Sequence, residues 1–161
     1  MNDFRILSSE RCLALIRAWV HALWPLTLEQ GVVIAKQLEW KPSNVRTNLF
    51  CSDLAEADEA DSRMTVVDGM VLRVSFPLSS IADEEKAFTL MICELVEQVE
   101  ELLVKEWGEP YRDADRSDIR SSQWELCSGV TVRISWDRTT ADASVWSPEL
   151  TALMKESGSG E

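Results

Sequence analysis

Histidine is almost absent from this 161-residue chain, where His21 stands alone. Metal sites built on several histidines and two-histidine catalysis are thereby excluded. Glycine is scarce too: of six, three fall at expected turns or caps and two in the C-terminal tail. Little backbone is left for a phosphate-cradling loop, and no dinucleotide fingerprint, G-x-S-x-G elbow or H-E-x-x-H occurs. The four cysteines, Cys12, Cys51, Cys93 and Cys127, are far apart and form no C-x-x-C or Cys/His group. That spacing favours buried free thiols in a reducing compartment, with two disulfides formally open. No apolar run approaches the ~18 residues of a membrane span. The opening MNDFRILSSE lacks the basic-then-apolar order of a signal peptide. The expected location is cytoplasmic, with no cofactor and no metal.

Positive charge is the last shortage. Sixteen Lys and Arg face 28 Asp and Glu, a formal net charge of −12. Such a field repels nucleic acid and anionic membranes and attracts basic partners, although negative charge also serves plain solubility. The hydrophobic share of 45% and charged share of 27% are those of a globular protein. Residues 1–156 are expected to form a single α+β domain, with 157–161 a disordered tail.

What is present is organised around Ser80–Gly108. Phe88, Ile92, Leu95, Val99 and Leu102 recur at helical spacing, with Met91, Val96, Leu103 and Trp107 widening the face. Ser80 with Asp83 reads as a capping box, Asp83, Glu84 and Glu85 complement the helix dipole, and Gly108 and Pro110 stop the helix. Upstream, Ser8 or Ser9 opens a helix that carries Leu13, Ile16, Trp19 (or Val20) and Leu23 and ends at Pro25. Thr27 and Gln30 form a second capping box for a partner helix ending near Trp40 and Pro42. Asn44–Cys51 reads as a strand and Ser52–Ser62 as a mobile acidic loop.

Asp68-Gly69 between alternating apolar runs predicts a hairpin, with Met70, Leu72, Val74 and Phe76 inward and Val71, Arg73 and Ser75 opposite. Tyr111–Ser121 reads as a charged loop. Gln123–Cys127 and Val130–Trp136 form a second hairpin about Ser128-Gly129, and Asp137–Ser144 is a polar connection. Ser147-Pro148 opens a short last helix. Leu38-Glu39-Trp40 and Lys105-Glu106-Trp107 each close a helix that leads into strands, and VLRVSF is similar to VTVRISW. These matches suggest two helix-then-strands units about a pseudo-dyad. The fold expected is one mainly antiparallel sheet packed by a long central helix and an N-terminal helix pair. Only Arg46, Arg73 and Arg133 blunt its strands, so an exposed edge or sheet face is a docking candidate.

The acidic clusters lack the turn glycine and closing glutamate of a calcium loop. They serve better as a contact surface: Glu56, Asp58, Glu59, Asp61, Asp113 and Asp115, joined by Trp146, the tryptophan whose polar neighbours make it the candidate for an exposed contact, with packing as a hydrophobic staple the alternative. Trp40 closing its helix, Gly108-Glu109-Pro110 after the long helix, and Trp124 make the layout similar to small acidic bacterial proteins of unknown function, some of them taken to be immunity proteins of secreted toxins. The element order also resembles type III secretion chaperones. Either resemblance implies a non-enzymatic protein that binds a toxin or effector with a basic surface, as monomer or homodimer. A small enzyme with an unrecognised site is the remaining alternative; it requires a polar pocket whose carboxylates have shifted pKa.

Overall fold

The computed structural model describes residues 4–57, 59–82, 86–114 and 118–158. The N-terminal pair is α1 (Ser9–Val20) and α2 (Leu28–Gln37). Ser8 caps α1 by accepting from the Arg11 N–H, and the Thr27–Gln30 capping box at α2 is closed in both directions, at 3.0 and 3.2 Å. The first helix stops at Val20, short of Pro25, and Leu23 is exposed beyond it.

Four strands follow: β1 (Lys41–Pro42), β2 (Leu49–Cys51), β3 (Ser62–Val67) and β4 (Met70–Pro77). The strand expected from Asn44 is therefore only three residues long. Asp68 and Gly69 both take positive φ, +51° and +77°, as a two-residue hairpin turn demands. A register shift after Thr65 changes which residues of the hairpin face inward. Val71 is buried, while Met70 and Leu72 are only half-buried, which reverses the expected order at that end of β4.

The long helix α3 (Lys86–Trp107) buries Ile92, Leu95, Val96, Val99 and Leu103, and Gly108 ends it at φ +85°. Ser80 does not cap it: Ile81 and Ala82 are non-helical, and the Ser80 hydroxyl instead accepts from the Arg5 N–H at 2.8 Å. Asp83, Glu84 and Glu85 lie outside the described residues.

A second run of four strands completes the sheet: β5 (Tyr111–Ala114), β6 (Arg120–Glu125), β7 (Thr131–Trp136) and β8 (Ala141–Trp146). Two segments expected as connections are thus strands. β5 escaped notice because all four of its residues are exposed, which leaves no alternation. β8 escaped because alanine, aspartate and serine are poor strand formers on propensity alone. A final helix, α4 (Pro148–Gly158), is capped by Ser147, whose hydroxyl accepts from the Leu150 N–H at 3.0 Å. Ser157 and Gly158 belong to it rather than to a tail.

The strand order is β1-β2-β3-β4-β8-β7-β6-β5, antiparallel throughout. Two four-stranded meanders, each entered from a helix, therefore meet at their last strands. The Trp closing each helix packs on an aromatic of the second strand of its meander. Trp40 lies 6.2 Å from Phe50, and Trp107 lies 5.9 Å from Trp124. This topology agrees with the repeated E-W helix ends. It does not agree with the VLRVSF match, which equates a fourth strand with a third.

α1, α2 and α3 share a single core cluster with the inward residues of the sheet: Met64, Val74, Phe76, Trp124, Val132, Ile134, Ala143 and Val145. α4 covers one end of the opposite face, through a Thr131–Thr151 hydroxyl bond of 2.8 Å and a Lys155–Glu125 pair at 2.8 Å. No disulfide joins the four cysteines, and only Cys12 is buried; burial pushes its thiol up to about 12. The protein is α+β. Because Ala141 and Ala143 are fully buried beneath the helices, Ala143→Leu is expected to overpack the centre and cost about 1–3 kcal/mol in urea unfolding.

Candidate functional site: the uncovered face of the sheet

Cross-strand partners in an antiparallel sheet point the same way, so the register states what the second face carries. One row runs Arg63, Ser75, Ser144, Arg133 across β3, β4, β8 and β7. The neighbouring row holds Thr65, Arg73, Trp146 and Thr131. Small serines in the middle and long arginines at the sides make a depression. Its volume is about 760 Å³.

The loop between β2 and β3 forms one wall, bringing Leu54, Glu56, Glu59 and Asp61 to the rim. Contacts at both ends of this loop tie it to its surroundings. Arg5 donates to the Leu54 carbonyl at 2.5 Å, and Arg11 pairs with Asp53 at 2.8 Å. Asp61 accepts from the Ser52 N–H and hydroxyl at 2.8 and 2.6 Å, and from the Ser62 hydroxyl at 3.1 Å. Its carboxylate closes the loop as well as bordering the trough.

The seven contact residues read from the sequence separate clearly. Glu56, Glu59, Asp61 and Trp146 all line this trough. Asp113 stands on the edge strand β5, beside a different pocket of about 500 Å³ under α3. Asp58 and Asp115 lie outside the described residues. Trp146 is 6% exposed and so is not the free aromatic its neighbours suggested. It sits on β8 next to the start of α4, and its indole donates to the Ser144 hydroxyl at 3.1 Å. It is a buried wall of the trough.

The arginines escaped sequence reasoning as a group. Each stands on its own strand, and only the register brings them to one face. In Arg73 and Arg133 the Nε–H is buried without a hydrogen-bond partner among the described residues. Among the described residues none of Arg63, Arg73 and Arg133 forms an ion pair, whereas Arg11, Arg17, Arg112 and Arg138 do. A buried donor left unmet costs about 1–3 kcal/mol, more when it is charged. Trp19 and Trp40 also hold unmet indole N–H groups, but in the closed aromatic core.

Asp142, opposite Pro77 and Ser135, lines the trough as well. Some of its surface is open to water, yet the surrounding walls desolvate it and raise its pKa. The Arg133 charge pulls the other way, and Asp137 adds to the rise. Asp137 shows the opposite balance. Burial alone would raise it, but Thr139 donates at 2.7 and 2.9 Å and Thr140 at 3.0 Å, and together they hold it below the ordinary value. Among the described residues no three His, Cys, Asp or Glu side chains converge to hold a metal ion, and no helix is long and apolar enough to cross a membrane.

Together these features define an α+β protein with one helix-packed sheet face and one largely open, arginine-floored and acid-rimmed face. Residues 10–145 match the family of unknown function DUF6301, and the chain belongs to that family. Neither the curated proteins nor the solved structures contain a match to it.

The two aspartates give pH predictions of opposite sign. Folding favours protonated Asp142; that stability is complete below the ordinary carboxylate value and is lost as pH rises through the raised one. Asp142→Asn should therefore raise the urea midpoint at pH 7 and leave it nearly unchanged at pH 3. Folding favours ionised Asp137, so that stability is present above the ordinary value and is lost on acidification through the lowered one. Asp137→Asn should lower the midpoint at pH 7, with the difference shrinking at low pH.

Proposed function

We propose that the protein binds and masks another protein, as an immunity protein does for its cognate toxin, with the uncovered sheet face as the docking surface. One observation carries the reading: the fold puts three helices on one face of its sheet and leaves on the other a trough bordered by Glu56, Glu59, Asp61 and Asp142. At a net charge of −12, the long-range field draws a basic partner toward this chain. The rim carboxylates then give local complementarity, while affinity comes from the few groups desolvated on contact.

Asp142 is the one feature on which an enzymatic reading could draw, since its pKa is raised inside a polar depression. The trough holds serines beside it, but the sole histidine is exposed at the C-terminal cap of α1 and does not line the trough. General-base activation of a serine has no support there. The masking role needs only the surface.

Capture from native cells with the tagged chain, followed by mass determination of the complex, should give a basic protein in 1:1 ratio. The double variant Glu56→Arg/Glu59→Arg should then associate about tenfold more slowly at low salt, the gap closing as salt is added. Equal capture rates for wild type and variant would remove this face from the interaction. A monomeric chain with no partner at physiological salt would remove the binding role.

A further inference from the structure

The floor of the trough carries three arginines, one of which, Arg133, acts on the Asp142 carboxylate without forming an ion pair with it. In a protein rich in acid, Arg63, Arg73 and Arg133 stand on one sheet face without a carboxylate in ion-pair contact among the described residues. Two of them, Arg73 and Arg133, bury a guanidinium Nε–H that meets no acceptor among the described residues, while Arg133 Nη2 donates to the Ser121 hydroxyl at 3.5 Å. Adjacent strands are about 4.8 Å apart, so the row from Arg63 to Arg133 spans roughly 14 Å, with only Ser75 and Ser144 between them. Arg73 enters from the next row, beside Trp146. An arginine is neutralised most effectively by an oxyanion that accepts from its planar fork, and a carboxylate has two oxygens to offer. The serine hydroxyls add further donors at the same level.

We infer that this floor is the receptor for one carboxylate of the partner, an Asp or Glu side chain that enters between Arg73 and Arg133 and carries basic neighbours toward the acidic rim. The inference rests on the protein-binding reading and specifies the anchor that reading lacks. Charge arrangement selects this occupant. A phosphate dianion would bring two charges into a depression ringed by Glu56, Glu59, Asp61 and Asp142, where like charges repel it. A single carboxylate flanked by lysine or arginine satisfies floor and rim together. A wholly basic segment would match the rim and leave both buried Nε–H groups unmet.

The arginine Nε–H resonances of the full-length ¹⁵N-labelled protein test this directly. Arg73→Lys and Arg133→Lys assign the two signals while keeping each charge. The probes are the capped tripeptides Lys-Glu-Lys and Lys-Gln-Lys, and inorganic phosphate at matched ionic strength. The Glu peptide should move both assigned signals saturably, at a dissociation constant at least fivefold lower than the Gln peptide. It should lose that advantage in the Arg73→Lys/Arg133→Lys protein, whose unchanged amide spectrum elsewhere reports an intact fold. Equal response to the Glu and Gln peptides, or shifts confined to other arginines, would overturn the proposal. Phosphate binding more tightly than the Glu peptide would also overturn it, in favour of an oxyanion site of another kind. Capture of a basic protein with silent arginine signals would overturn the anchor and leave the docking reading standing. A saturable Glu-peptide response with no protein partner would keep the carboxylate receptor and remove the masking role.

Discussion

The antiparallel pairing of β4 with β8 is the contact on which the structure depends. Each meander is a local structure built on a hairpin, and neither by itself makes a face wide enough for three helices. The seam joins them from Arg73 against Trp146 to Pro77 against Asp142. It is possible because β8 places alanines at 141 and 143 inward, where neither has any exposed surface. Larger residues there would hold the helices away from the centre of the sheet. The same strand turns Asp142, Ser144 and Trp146 outward. Thinness on one side of β8 permits the core, and on the other the short Ser144, beside Ser75 of β4, leaves room for the trough.

Charge is distributed with a division of labour. Arg5 and Arg11 bind the β2–β3 loop to the N-terminal segment and α1, and Arg112 and Lys155 join exposed elements to each other. These pairs are partly exposed and contribute little stability each. The sheet arginines differ because none of them is in ion-pair contact among the described residues, although the Arg133 charge acts on Asp142. Acidic residues near them border the opening instead of neutralising the floor. The trough therefore carries side chains of both signs: Arg63, Arg73 and Arg133 from the sheet, Glu56, Glu59 and Asp61 from the β2–β3 loop, and Asp142 from β8.

Periodicity and turn chemistry disclosed much of this fold in advance. The three long helices, the Asp68-Gly69 and Ser128-Gly129 turns and the Ser147 start of the last helix all follow from local rules, and the structure contains them. β5 and β8 are the informative failures. An edge strand exposed on all sides has no hydrophobic period to detect. A central strand of alanine, aspartate and serine is a strand because its neighbours supply hydrogen bonds and require small side chains. The site was half legible for the same reason. Glu56, Glu59 and Asp61 are neighbours in sequence, so their cluster could be read directly. Arg63, Arg73 and Arg133 become neighbours only through register, and Trp146 becomes a wall only once α4 is in place.

The central seam also governs the order in which the chain can assemble. The residues paired across it are about 70 positions apart in sequence, whereas the other strand pairings join segments close together along the chain. Closing so long a loop costs conformational entropy before any contact returns it, and non-local pairings of this kind slow folding. Each helix and its meander can form early as a unit, and the two units then dock through β4 and β8. The outward face of β4 and β8, which floors the trough, is continuous only after that last step. In an unfinished molecule the two halves of the trough are therefore still apart, and the depression exists only once the chain has folded.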